Sequence, residues 1–126
     1  MPDTEPNYPL PTAQVAPYVD VLGTPLAIKF LILFGGAQVG LSQSPRGDGL
    51  VSRIIGKEHE SALGQKLGSK VNRVPLASKW LALCLRAEGE TTAEIARRLR
   101  VSDVSVRRWM AGTNTPRPPR HVIENR

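Results

Sequence analysis

Cysteine is almost missing from this sequence, and its one cysteine, Cys84, cannot form a disulfide within the chain. Cys84 lies inside the apolar run from Trp80 to Leu85, where a free thiol usually serves as a small hydrophobic side chain. The first residues, MPDTEPNYPLPT, also lack the basic and apolar regions of a signal peptide. We therefore expect a cytoplasmic protein rather than an exported one.

Long hydrophobic runs are absent as well. The most apolar segment, PLAIKFLILF at residues 25–34, is too short to span a bilayer and contains Lys29. We expect this segment to be a buried helix, and we expect no membrane partner.

The sequence also lacks recognisable catalytic, cofactor and metal motifs. It has no Gly-rich phosphate loop and no acid, base and nucleophile at a familiar spacing. His59 and His121 are far apart, and neither has a second ligand at a metal-binding spacing. We therefore expect no enzymatic activity, no cofactor and no metal site.

Positive charge is concentrated in the second part of the 126-residue chain. Residues 1–50 contain two basic and four acidic side chains, whereas residues 51–126 contain fifteen and seven, so the net charges are −2 and +8. Such a basic segment favours a polyanionic partner, and nucleic acid before a membrane surface. An ordinary solvated surface could have the same charge, so charge alone does not identify the partner.

The two ends of the chain are rich in proline. Residues 1–17 contain five prolines and little periodicity, a composition that predicts a disordered arm. The segment TNTPRPPRHVIENR has the same character, and we expect a basic, flexible tail over residues 113–126.

An internal repeat fills much of the segment between them. The stretch LGTPLAIKFLILFGGAQVGL at 22–41 aligns with IGKEHESALGQKLGSKVNRV at 55–74. Each copy predicts one helix, starting just after Gly23 or Gly56 and ending at Gly35 or Gly68, followed by a short strand-like segment. The fold class expected is mainly α with a short two-stranded β element.

The first of these helices is apolar on nearly every side, and a single small domain could hardly cover it. We therefore predict that residues 18–76 form an N-terminal dimerisation domain and that the protein is a homodimer. The residues predicted to form the dimer surface are Leu26, Phe30, Leu31, Leu33 and Phe34.

The stretch TTAEIARRLRVSDVSVRRWM at 91–110 predicts two short helices joined by a tight turn. Thr91 and Glu94 have the spacing of a capping box, and the first helix is expected to end near Arg100. Ser102 is placed to cap a second helix that buries Val106 and Trp109.

An upstream helix in SKWLALCLRAEGE, with Leu81, Cys84 and Leu85 facing inward, would complete a C-terminal helix-turn-helix domain over residues 77–112. An ordinary αα-hairpin is the alternative. Arg100 departs from the usual pattern because glycine is common at this turn position.

In such a domain the outer face of the second helix would contact DNA bases, and the surrounding polar side chains would contact phosphates. The predicted base-reading residues are Asp103, Val104, Arg107 and Arg108. The predicted phosphate-contacting residues are Ser102, Lys79, Arg97, Arg98, Arg100, Arg117 and Arg120.

With these parts in place, residues 18–110 resemble the Mor family of phage transcription activators. The resemblance depends on LGTPLAIKFLILFGG, on IGKEHESALGQKLGSKVNRVP and on TTAEIARRLRVSDVSVRRW. It implies a homodimer with intertwined N-terminal segments that binds double-stranded DNA and recruits the host RNA polymerase.

The function expected is therefore that of a dimeric, sequence-specific transcription regulator that activates phage or prophage genes. Two alternatives stay open. One is a module for protein contacts, such as an antitoxin or a phage accessory protein. The other is the DNA-binding part of a mobile-element recombinase.

Overall fold

The computed structural model describes residues 6–68 and 71–112, so the predicted basic tail lies outside the described residues. The chain divides into two compact units. The first comprises residues 11–77, and the second comprises residues 78–112 together with residues 6–10. The described residues are mainly helical with one small two-stranded sheet, which confirms the predicted secondary-structure class.

The first unit contains the internal repeat. Its elements are α1 (Ala16–Leu22), α2 (Thr24–Phe34), β1 (Gln38–Gly40), α3 (Leu50–Ile55), α4 (Lys57–Leu67) and β2 (Val71–Arg73). Helices α2 and α4 begin 33 residues apart and end 33 residues apart, and the two strands have the same offset. The predicted helix and strand in each copy are confirmed. Each long helix is also preceded by a short one, α1 or α3, which the repeat did not predict.

One glycine in each copy separates the short helix from the long one. Gly23 has φ 78° and ψ 158°, and Gly56 has φ 88° and ψ 151°. This region of backbone space is essentially restricted to glycine, because a Cβ atom would clash with the adjacent peptide groups. The two helices therefore follow each other with a sharp change of direction and no loop.

The two strands pair in antiparallel register, with Gln38 opposite Arg73, Val39 opposite Asn72 and Gly40 opposite Val71. Two strands of three residues are too few to be stable alone. Leu41 and Val74, which follow the strands directly, are both buried in the unit. The sheet is therefore anchored to the helical core at the residue that follows each strand.

Helix α2 supplies much of the core of the first unit, and this corrects the predicted dimer surface. Phe30, Leu31 and Phe34 are all buried within the single chain, and the ring of Phe30 packs against those of Tyr18 and Phe34. The prediction failed because it assumed that one chain could not cover this helix. Helices α1 and α3 of the same chain pack against α2 and cover it.

The other two predicted dimer residues, Leu26 and Leu33, lie on the outside of α2. Leu26 is half-buried, and Leu33 is 54% exposed.

The structure also differs from the predicted disordered arm at residues 6–17. In the first unit, Val15 is buried and α1 starts at Ala16. In the second unit, the Trp80 indole N–H donates to the Pro9 carbonyl at 3.2 Å, and the Tyr8 hydroxyl donates to Glu88 at 2.8 Å. Specific side-chain contacts therefore order a proline-rich segment whose composition predicted disorder.

The second unit is a three-helix arrangement of α5 (Ser78–Ala87), α6 (Thr92–Leu99) and α7 (Asp103–Ala111), in which each helix packs against the other two. Helix α5 is central, because every residue from Trp80 to Leu85 is buried. Burial, with a smaller contribution from Glu88, raises the pKa of Cys84 to about 12, so this cysteine is a neutral core residue as predicted. In the part of the chain that the structure describes, none of the helices has both the length and the apolar content needed to cross a bilayer.

Candidate nucleic-acid interface

Helix α6 begins with the predicted capping box. The Glu94 backbone N–H donates to the Thr91 hydroxyl at 3.2 Å, and the Thr91 backbone N–H donates to the Glu94 carboxylate at 2.8 Å. The bond from the Thr91 backbone lowers the pKa of Glu94. Two of the free N–H groups at the start of the helix are satisfied in this way. The start of α6 is therefore fixed by local contacts.

The turn after α6 is formed by Arg100 in the left-handed region, with φ 59° and ψ 44°. The backbone N–H groups of Arg100 and Val101 both donate to the Ala96 carbonyl, which satisfies the end of the helix. The predicted turn position is confirmed, although the residue is not glycine. Arginine costs some conformational strain there, and its side chain is exposed.

Helix α7 starts at the predicted cap. The Ser102 hydroxyl accepts a hydrogen bond from the Ser105 backbone N–H at 3.1 Å, and Val106 is fully buried on the inner side of the helix. The predicted burial of Trp109 is wrong, because this side chain is only partly buried. Trp109 lies in the last turn of α7, beyond the residues that pack most closely on the unit.

The four predicted base-reading residues all lie exposed on α7 and constitute what we call the outer face of α7: Asp103, Val104, Arg107 and Arg108. Val106 points into the core, so this face is turned away from the unit. Arg107 and Arg108 form no ion pair with any residue in the described part of the chain. Their guanidinium groups are therefore available to an outside partner.

The described members of the predicted phosphate-contacting set lie on two helices of the second unit and in the turn between α6 and α7. Lys79 is exposed on α5, Arg97 is exposed on α6, and Arg100 and Ser102 are exposed in the turn between α6 and α7. Arg117 and Arg120 lie outside the described residues.

Arg98 differs from the others because it has a partner within the chain. Its guanidinium donates to the Glu90 carboxylate at 2.8 Å, and its side chain is half exposed. The pKa of Glu90 is raised, because the effect of partial burial is larger than the opposing effect of the Arg98 charge. Arg98 would have to leave Glu90, or share it, to bind a phosphate.

Glu90 was missed in the sequence analysis because it precedes α6, outside the periodic pattern of the helix. Arg98 is eight residues further along the chain, and the folded structure brings the two side chains together. Residues that are eight apart across the start of a helix have no general tendency to be in contact, so the spacing does not predict this ion pair.

Metal chemistry finds no support in the geometry of residues 6–68 and 71–112. In these ranges, no group of three or more histidine, cysteine, aspartate or glutamate side chains could hold a metal ion. The exposed side chains of the second unit include several arginines and one lysine, on α5, α6, α7 and the turn between α6 and α7.

Comparison of the chain with models of protein families, with curated proteins and with solved structures found no match.

Proposed function

We propose that this chain is a dimeric, sequence-specific DNA-binding regulator of transcription, in which α6 and α7 form a helix-turn-helix and α7 is the recognition helix. One observation carries the proposal. The outer face of α7 presents two arginines that form no ion pair within the described part of the chain, beside Asp103 and Val104. This face follows directly after a capped start and a tight turn from α6.

The size of α7 suits the major groove of B-DNA. An α-helix with its side chains is about 10–12 Å across, and the major groove is roughly 12 Å wide, so a helix of nine residues such as α7 can lie in it. Val106 anchors the opposite side of the helix to the core, so the outer face can enter the groove while the unit remains folded.

The three charged residues of the outer face have chemical roles in this proposal. Arg107 or Arg108 reads guanine, because a guanidinium can donate to both O6 and N7 in the major groove. Asp103 accepts from cytosine or orients a neighbouring arginine. Arg97 and Arg100, with Lys79 and Ser102, contact phosphates and hold the helix in place, and Arg98 contributes less because Glu90 competes for it.

The dimer is proposed to form through the outer face of α2, which we define as Leu26, Lys29, Ile32 and Leu33. These residues are exposed or half-buried and lie on one side of the helix. Two-fold proteins that bind successive major grooves recognise half-sites about 34 Å apart, and we expect this spacing in the selected operator.

The second copy of the repeat supports this choice of face. At the matching positions of α4, 33 residues later, the side chains are His59, Ala62, Gln65 and Lys66. The same fold therefore tolerates polar residues at Ile32 and Leu33. Their apolar character in α2 is explained by a partner surface, and the lysine at position 29 can pack its aliphatic stem there.

The resemblance to the Mor family supports the finer part of the proposal. By that resemblance the protein acts in the cytoplasm as an activator of phage or prophage genes and recruits the host RNA polymerase. Gene activation by the purified protein and polymerase, with a promoter that contains the selected operator, would test this part.

DNA recognition can be tested with the full chain and a pool of random duplex DNA. After selection of an operator, fluorescence anisotropy is measured on a panel of single-base variants. Alanine at Arg107 or Arg108 is expected to cost about 1–3 kcal/mol, or roughly 5- to 150-fold, and to relax the preference at one base pair. Alanine at Arg97, the matched control on α6, is expected to weaken binding to every operator alike.

The outcomes separate the candidate functions. An equal loss on every operator for both α7 variants would contradict the assignment of the recognition helix. A chain that bound no duplex DNA at low salt would contradict the whole proposal and favour a module for protein contacts. Cleavage or strand transfer would instead favour a recombinase component.

A further inference from the structure

Val104 is an exposed apolar side chain on α7. Within residues 78–112 it is the one large aliphatic side chain that is mostly exposed, with 55% of its surface accessible. Single exposed apolar residues are common, so exposure alone indicates nothing. The position of Val104, however, is specific: it is the second residue of α7, immediately after the cap formed by Ser102.

Val104 shares its side of α7 with the two exposed arginines. Arg107 and Arg108 follow it by three and four residues, the spacing that places side chains next to each other on one helix surface. A valine in a helix has one strongly preferred rotamer, so its two methyl groups are held in a fixed place. The structure therefore presents a rigid apolar contact within reach of two cations.

The major groove offers one matching group on its base edges, the C5 methyl of thymine. We propose that Val104 recognises a thymine methyl in each half-site, an inference that rests on the proposed function. The rise from Val104 to Arg107 or Arg108 is about 4.5–6 Å along the helix, and successive base pairs are roughly 3.4 Å apart. The thymine is therefore placed one or two base-pair steps from the guanine that the arginine reads.

Replacement of thymine by deoxyuridine tests this contact, because it removes the methyl group and leaves the base pair intact. Each thymine of the selected operator is replaced in turn, and binding is measured for the unaltered chain and for Val104→Ala. At one thymine of each half-site, loss of the methyl is expected to weaken the unaltered chain about 3- to 10-fold, as expected for one or two buried methyl-sized groups. Val104→Ala should bind the thymine operator with a similar loss and should no longer distinguish thymine from uracil there.

Two control variants make the result specific. Arg97→Ala is expected to weaken binding to both operators equally and to keep the distinction between thymine and uracil. Arg107→Ala should also keep that distinction while it loses preference at a neighbouring base pair. Melting curves by circular dichroism should agree for Val104→Ala and the unaltered chain, because the side chain is exposed.

The inference and the proposed function fail differently. If no thymine lies within two steps of the guanine, or if the unaltered chain binds every uracil operator as tightly as thymine, the thymine contact is refuted. Base-specific losses for Arg107→Ala would still support DNA recognition by α7 in that case. If no duplex DNA binds at all, both are refuted.

Discussion

Replacement of Leu33 by lysine should separate dimer formation from folding. Leu33 lies on the outer face of α2, and Lys66 occupies the matching position in the second copy of the repeat. The substitution therefore introduces a side chain that the same fold already accepts at the matching position. The chain should stay folded while a charge is placed in the middle of the proposed dimer interface.

The size of the effect follows from the exposure of Leu33. Its side chain is 54% exposed in the single chain, and burying a whole leucine contributes about 1.5–3 kcal/mol. Association would bury the remaining half on each protomer, which amounts to roughly 2 kcal/mol for a two-fold dimer, or a 30-fold change in Kd. Desolvation of two lysines adds to this, so Leu33→Lys should weaken association by more than Leu33→Ala.

The assay is sedimentation velocity over a range from nanomolar to micromolar protein, with urea unfolding as a check on the fold. Leu50→Lys is the matched control, since Leu50 is a similarly exposed leucine of the first unit that lies off the outer face of α2. Phe30→Ala, a core variant, should lower the free energy of unfolding by about 3–5 kcal/mol. An unchanged dimer in Leu33→Lys, an equal loss in Leu50→Lys, or a well-folded monomer at all concentrations would refute the proposed interface.

Three further outcomes are expected. Gly23→Ala should destabilise the first unit by about 1–3 kcal/mol in urea unfolding, because φ is +78° there, whereas Gly40→Ala should be close to neutral. Cys84 should resist iodoacetamide below pH 9 in the folded protein. Fast alkylation of the folded protein at pH 8 would contradict this burial. Because burial raises the pKa of this thiol above its ordinary value of 9.0, the contribution of the thiol to stability should be complete below pH 9 and decline at higher pH. Thr91→Ala should cost about 1 kcal/mol through loss of the cap, and no change in the melting curve would show that the capping box contributes little.

The features that sequence alone predicted well depend on residues close together in the chain. The capping box at Thr91, the left-handed turn at Arg100 and the cap at Ser102 each involve contacts over three to five residues. The boundaries of the repeat were equally predictable, because Gly23 and Gly56 set the start of a helix through their own backbone conformation. Local steric and hydrogen-bonding preferences are enough to determine such features.

The exposed face of α7 was also predictable, since a helix with one buried position, Val106, must turn the opposite residues outward. Helical periodicity therefore identified the candidate site before the fold was known.

Which side of α2 is buried could be decided only by the tertiary structure. The helix is apolar on nearly all sides, so periodicity could not distinguish Phe30 and Phe34, which are in the core, from Leu33, which is outside. The pairing of Arg98 with Glu90 and the contact of Trp80 with Pro9 likewise join residues that no local pattern connects. Burial and ion pairing depend on which elements meet in space, whereas turns, caps and helix boundaries depend on the nearest neighbours in the chain.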